Sequence, residues 1–394
     1  MSDPLPPSSH YQVRQLFTDP AFAGWKNDFV RAVITNLKFR HAPQAARRLR
    51  QETERLAQQG LTDQVIYARL HELVHQVLYK THEVREAQRR EKFSRGENRA
   101  DQVLDFLGPY LTKTKVGSYL DVGCSEGSIT AAMGKLLRAE KIQGCDVVPL
   151  KADQKRGFEF TLLDPADPYR LPYPTASQDV VSAFMSFHHI ECLDRTLAEI
   201  HRVLRPSGIL IVREHDARPG MSLFLDVLHG FYAMVWSEPP EMPDFSTHFS
   251  HYRGQNELLA LIQKPVKKHL FDLVYVDEPR GQWRYFYAVF TRPGNELVAG
   301  MFPPGLAQQL VLPNVEETPC SPAKRRSAPP AEAKPARTSR AVSPPPKTTG
   351  ISREKLAASV GRQGYTVDEL KEFCRAAGLK ISGTKAELVA RLAG

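Results

Sequence analysis

Ser118-Tyr119-Leu120-Asp121-Val122-Gly123-Cys124-Ser125-Glu126-Gly127 reads as a strand that runs into a tight turn. Apolar residues lead to an acid; Gly123, Ser125 and Gly127 then alternate with other residues before a helical segment, Ile129 to Arg138. Glycine serves where the backbone takes φ > 0 or must come close to a ligand, and the helix N-terminus that follows offers N–H groups. A nucleotide-like ligand is expected. A dinucleotide fingerprint spaces its glycines G-x-G-x-x-G, whereas here small residues fall at alternate positions and Asp121 stands two residues before Gly123. One such turn can also do no more than pack a helix on a sheet, so the flanking sequence has to decide.

Downstream, the periodicity alternates strand and helix. Lys141 to Asp146 forms a second strand ending in an acid 25 residues beyond Asp121, where a carboxylate can accept both hydroxyls of a ribose. Only Val147 to Arg156 separates it from the next apolar stretch, Gly157 to Leu163, so the second crossover helix is expected to be shortened. Asp164-Pro-Ala-Asp167 leads to Leu171-Pro172-Tyr173, and Gln178 to Ile190 gives a fourth strand ending in Ser186, Phe187, His188 and His189. Leu193 to Leu204 is an amphipathic helix, and a fifth strand then runs to Glu214, His215 and Asp216, with Gly208 at the turn between them. Met221 to Trp236 and Gln255 to Ile262 read as helices, and His269 to Val276 with Trp283 to Thr291 as an antiparallel hairpin.

These motifs, in this order, resemble the class I S-adenosylmethionine (SAM)-dependent methyltransferases of the common methyltransferase-11-like type, over about Arg85 to Pro293. The resemblance implies an α/β, Rossmann-like seven-stranded sheet with SAM as cofactor. Asp121 would help hold the methionine amino group, with Gly123, Ser125 and Gly127 beneath the amino-acid part and Asp146 on the ribose. Asp167, or Asp164 in a competing register, would meet the adenine amino group. The carboxyl ends of the fourth and fifth strands would face the methyl group, which brings Ser186, His188, Glu214, His215 and Asp216 into view. His215 or Glu214 is the candidate base, with buried hydrogen-bonded support as the alternative role. His248, His251 and Tyr252 fall where such enzymes shape the acceptor pocket. The histidine spacing fits no familiar metal cage, so no metal is expected.

At 394 residues with 42% apolar composition the chain can hold two or three domains. Its five cysteines are scattered without C-x-x-C, which suggests neither a zinc cage nor a disulfide framework and fits a reducing compartment. No apolar run approaches a membrane span, and no secretory leader is read, so an intracellular, soluble protein is expected. Residues 1–84 read as an N-terminal helical region that would cover the catalytic domain, with Trp25, Phe29, Val33 and Leu37 at helical spacing. Its Arg47, Arg48, Arg50 and Arg55 form either a nucleic-acid face or a solvated one.

The charge of +9 is concentrated at the end: from Pro303 to Gly394 there are 15 Lys and Arg against 8 Asp and Glu. Residues 302–350, rich in Pro, Ala, Lys and Arg, read as a disordered linker, and Lys324-Arg325-Arg326 within it as a nuclear signal or a plain basic stretch. Residues 351–394 contain two short helices, the first capped by Thr366 with Glu369 and closed at Gly378, the second opened by Thr384. Together with Ser382-Gly383-Thr384-Lys385 they resemble a SAP domain, which implies nucleic-acid binding, DNA favoured and RNA possible. Lys371, Arg375, Lys380, Lys385 and Arg391 would then meet phosphates. The whole reads as a methyltransferase tethered to RNA or DNA and located in the nucleus rather than the cytoplasm. A methyltransferase of a nucleic-acid-associated protein and an inactive scaffold are the alternatives, and oligomeric state stays open. No Asn/Asp-Pro-Pro-Tyr stretch supports exocyclic amino methylation of DNA. The Lys-Asp-Lys-Glu tetrad of ribose 2′-O enzymes is not reproduced either, since Arg213 stands at the fifth-strand lysine's place.

Overall fold

A computed structural model describes residues 12–36, 43–78, 82–150, 157–218, 220–236, 250–265, 268–281, 283–302, 307, 309–315, 370, 374, 388–390 and 392. Seven strands form one sheet: β1 (Ser118–Val122), β2 (Lys141–Asp146), β3 (Glu159–Leu162), β4 (Gln178–Phe184), β5 (Leu204–His215), β6 (Asp272–Val276) and β7 (Tyr285–Thr291). Their order is β3-β2-β1-β4-β5-β7-β6, parallel except that β7 runs antiparallel to both β5 and β6. This is the expected α/β architecture with its closing hairpin. Every residue of β1 is buried, as a central parallel strand covered on both faces requires.

Helix α5 (His82–Lys113) and α6 (Ser128–Leu136) cover one face, where Val103, Leu107, Tyr119, Met133 and Ile211 share a core. Helix α7 (Leu193–Val203) and α9 (Gln255–Gln263) cover the other with Leu197, Ile200, Leu259 and Phe286. Because β1 lies between β2 and β4, the chain reverses its winding there, and the carboxyl ends of these strands open into the crevice where doubly wound folds bind ligands.

Four N-terminal helices, α1 (Val13–Thr18), α2 (Ala23–Asn36), α3 (Pro43–Gln58) and α4 (Asp63–Leu78), share a third core with α8 (Met221–Trp236). Phe231 of α8 meets Phe29 and Tyr67 edge-on at 4.8 and 5.8 Å, and Phe224 stacks between Trp25 and Trp283 at 5.2 and 5.1 Å. These helices belong to the same compact unit as the sheet, which extends to Pro322. In α3, Arg47 and Arg48 are exposed, and Arg55 pairs with Glu52.

Three expectations change. Packing runs past 301, for Phe302 stacks on Tyr110 and Leu310 and Leu312 lie against the sheet's second core, so the linker does not begin at 302. Gly208 takes no positive φ; it is needed because an added Cβ would lie 2.9 Å from the Asp179 carbonyl. Cys192, buried at the start of α7, is disulfide-bonded, which the scattered cysteines do not suggest. Val147 to Leu150 is not helical, and the remainder of the shortened crossover lies outside the described residues, as do Lys324-Arg325-Arg326 and His248. No helix among the described residues is long and apolar enough to cross a membrane. The last unit, Ala323–Gly394, contributes a small core of Leu370, Cys374, Leu388 and Val389 with Leu392 beside them.

If α8 is held by the N-terminal helices, emptying their shared aromatic contact must destabilise the whole unit. Phe231→Ala is expected to cost about 3–5 kcal/mol in urea unfolding; a loss below about 1 kcal/mol, within the range of a surface substitution, would contradict that packing.

Candidate functional site

The turn after β1 is built as its composition demands. Gly123 and Gly127 have φ of 77° and 79°, and a Cβ on Gly123 would lie 2.5 Å from the Ser186 Cβ. Ser186, on the chain leaving β4, donates from Oγ to the Val122 carbonyl at 3.0 Å. The two strand ends are thereby drawn together beneath the turn. Gly127 is the N-cap of α6 and no side chain caps that end, which leaves its first N–H groups without a side-chain partner from the cap.

Asp121 is buried below this turn. Its Oδ2 accepts from the Thr130 hydroxyl of α6 at 2.6 Å and its Oδ1 from the Ser182 hydroxyl of β4 at 2.7 Å. The Tyr119 hydroxyl lies 2.7 Å from Ser182 Oγ, which closes the network. A grip on a ligand's amino group would have to share oxygens already engaged within the domain, so Asp121 is first a strut. Burial pushes its carboxyl up to about 6, against the opposing pull of both hydroxyls and of Arg99, with Asp146 adding to the rise.

Asp146 stands at the end of β2, half-buried, accepting from Ser125 N at 2.8 Å and Val148 N at 2.9 Å. Each of its oxygens keeps a second lone pair, as acceptance of a diol needs. The two adenine candidates separate. Asp167 is turned to Arg195, at 3.2 Å, whereas exposed Asp164 follows directly on β3, two residues beyond the partner of Asp146 in the ladder. Glycine turn, Asp146 and Asp164 therefore lie in sequence along the carboxyl edge of β1, β2 and β3 and suit an amino acid, a ribose and a purine in turn.

On the other side of the switch point, the ends of β4 and β5 hold a histidine cluster. Glu214 is 2% exposed, and its carboxylate accepts from Phe187 N at 2.8 Å, from His215 N at 3.3 Å and, through the imidazole pair, lies 2.7 Å from His188 Nδ1. Burial raises its pKa. So engaged, Glu214 orients His188, which fits the supporting role left open beside that of a base. His215 Nδ1 lies 2.7 Å from the Trp283 carbonyl, which can only accept, so the ring donates there. Burial lowers the His215 pKa to about 4 and keeps it neutral. Asp216 is tied to Arg284 and accepts from Gln255 N, a structural role.

Two further imidazoles belong to the cluster, of which the local sequence points to His189 but not to His229. His189 is exposed beside His188, their rings 4.1 Å apart, and His229 projects from α8 with its ring 5.3 Å from each. Tyr252 stacks on His188 at 4.7 Å, and its hydroxyl lies 2.7 Å from His229 Nδ1. His251 donates its backbone N–H to the His188 carbonyl at 2.8 Å, so the segment expected to shape the acceptor pocket does reach the cluster. The clue to His229 was a lone imidazole, three residues after Asp226, in an otherwise apolar helix. Lys371, Arg375, Lys380, Lys385 and Arg391 lie outside the described residues.

The Asp121 strut has a pH signature. Its folded pKa, about 6, stands above the ordinary 3.8, so between those values the native state binds more protons than the unfolded chain, and stability falls as pH rises through that window. Two units correspond to up to about 3 kcal/mol. Asp121→Asn, measured by urea unfolding at pH 4 and 7.5 in parallel with wild type, should therefore gain relative stability toward pH 7.5. A relative loss would contradict a buried strut.

Comparison with known proteins agrees with this geometry. Residues 120–212 match the family model for a methyltransferase domain, and residues 363–394 that for a SAP domain. The chain is 32% identical over 121 residues to the demethylmenaquinone methyltransferase of Deinococcus radiodurans, covering 29% of this chain and 50% of that protein. It is 32% identical over 111 residues to the malonyl-[acyl-carrier protein] O-methyltransferase of a Methylovorus species, covering 26% and 38%. It is also 26% identical over 169 residues to the mitochondrial arginine-hydroxylase NDUFAF5 of Rattus norvegicus, covering 42% and 45%. The chain thus spans half or less of these relatives' length. Among solved structures, the N-methyltransferase NodS of Bradyrhizobium japonicum with S-adenosyl-L-homocysteine is 15% identical with a TM-score of 0.34, covering 51% of this chain and 88% of that one. With the seven-stranded order and the glycine turn in place, residues 120–212 are a methyltransferase domain and residues 363–394 a SAP domain.

Proposed function

We propose that the chain is a SAM-dependent methyltransferase whose acceptor is nucleic acid, RNA or DNA, held by the SAP domain. The observation that carries this reading is the joining, in one chain, of a switch-point crevice edged by Asp146 and Asp164 to a basic C-terminal SAP module. SAM supplies an electrophilic methyl carbon for in-line displacement. The chain's own task is to bind, aim and keep water out. The glycine turn allows close backbone approach, Asp146 accepts from the sugar, and Asp164 rather than Asp167 reaches toward the purine. The acceptor enters over the ends of β4 and β5, beside the histidine cluster and the Tyr252 ring stacked on it. The SAP module supplies phosphate contacts that weaken with salt and raise local acceptor concentration. A nuclear location fits the same reading through Lys324-Arg325-Arg326.

A small-molecule acceptor is the second reading. It is favoured by relatives whose names give demethylmenaquinone and malonyl-[acyl-carrier protein] as substrates, and by the deep burial of His188 and His215. Incubating the full chain with methyl-labelled SAM and a cell extract separates the two. Label in a nuclease-digestible fraction, reduced when residues 351–394 are removed, is the expected result. Label confined to a protease-digestible or an organic-soluble fraction would overturn nucleic acid as the acceptor.

A further inference from the structure

Three imidazoles converge where β4 leaves the sheet. His188 and His189 belong to the single helical turn Phe187–His189, and His229 comes from α8. One ring nitrogen from each lies within 4.8 Å of the other two, and among the described residues this is the one such grouping of His, Cys, Asp and Glu. The sequence spacing gave no cage because the third ligand arrives from a separate helix.

The surroundings are those a metal site requires. A ligating histidine commonly donates its second ring N–H to a carboxylate or carbonyl, which fixes its tautomer. His188 Nδ1 is 2.7 Å from Glu214 Oε2, and Glu214 already accepts from backbone N–H groups. His229 Nδ1 is 2.9 Å from the Leu225 carbonyl, which can only accept. Both contacts put the hydrogen on Nδ1 and the lone pair on Nε2.

We propose that His188, His189 and His229 bind one Zn²⁺ ion, leaving a fourth position for an oxygen or nitrogen ligand. Three imidazoles with one open position are a recurrent arrangement for zinc. Bonds of about 2.0–2.1 Å set tetrahedral ligands about 3.3 Å apart, so the rings must close by up to about 1.5 Å from their separation of up to 4.8 Å. Exposed His189 has the freedom to do so. Glu214 is then a positioning residue for His188, and Tyr252, stacked on His188 and touching His229 Nδ1, braces both rings. Binding of the ion does not depend on methyl transfer.

The test uses the untagged full chain after chelator treatment. Zn²⁺ titration by calorimetry should give one ion per chain, and Co²⁺ should develop the visible d–d bands of a tetrahedral site. His189→Ala and His229→Ala should each weaken Zn²⁺ binding at least about tenfold, as loss of a ligand must exceed the 10–100-fold typical of outer partners. His189 is exposed, so His189→Ala should keep the metal-free circular dichroism spectrum and melting temperature of wild type. His269→Ala, an exposed histidine bonded to Asp272, should bind Zn²⁺ as wild type does. Absence of the cobalt bands, or wild-type zinc affinity in both His189→Ala and His229→Ala, would show that the rings merely stack.

Discussion

The carboxylate of Asp121 ties three elements at one point: its own strand, the helix that follows through Thr130, and the neighbouring strand through Ser182. A glycine turn without such a strut would be free to collapse onto the crevice it borders. With it, the positive φ angles of Gly123 and Gly127 are imposed from below, and the close contact of Gly123 with Ser186 fixes the gap between β1 and β4. Burying a carboxyl raises its pKa and costs stability, so the junction is held against a local penalty by the hydroxyls around it. Such local penalties concentrate at functional sites.

The acceptor side depends on a different scaffold. Helix α8 carries His229 to the cluster, and the N-terminal helices hold α8 through Phe29, Tyr67 and Trp25. The N-terminal helices thus support the cluster through α8. Buried Glu214 performs the matching task from the sheet, accepting from the turn that presents His188 and His189.

Local patterns were legible in the sequence where one segment contained the whole signal. Residues 118–122, 141–146 and 221–236 adopt the elements that their apolar runs and bounding turns indicate. The position of Asp146 at a strand end was legible too, because a strand-terminal acid at that interval needs no distant partner to place it. Roles that depend on what lies opposite were not. Asp121 read as a ligand grip and Glu214 as base or support, yet their oxygens are engaged by groups from other elements. Asp167 matched the motif by spacing, but Arg195 claims it, and Asp164 holds the strand-end position. Residues 1–84 read as a helical cover, but an amphipathic face does not say which helix it packs on, so α8 was not legible as the partner. His229 was hidden in an apolar run whose geometry only the fold reveals.

The central claim is that the carboxyl edge of β1, β2 and β3 grips SAM. Isothermal calorimetry of SAM with the full chain, alongside Gly123→Ala and Asp146→Ala, tests it most directly. The account predicts one SAM per chain for wild type, binding abolished in Gly123→Ala because the new Cβ drives into Ser186, and binding weakened in Asp146→Ala. Absence of SAM binding by the folded wild-type chain, or affinity untouched by both substitutions, would contradict it.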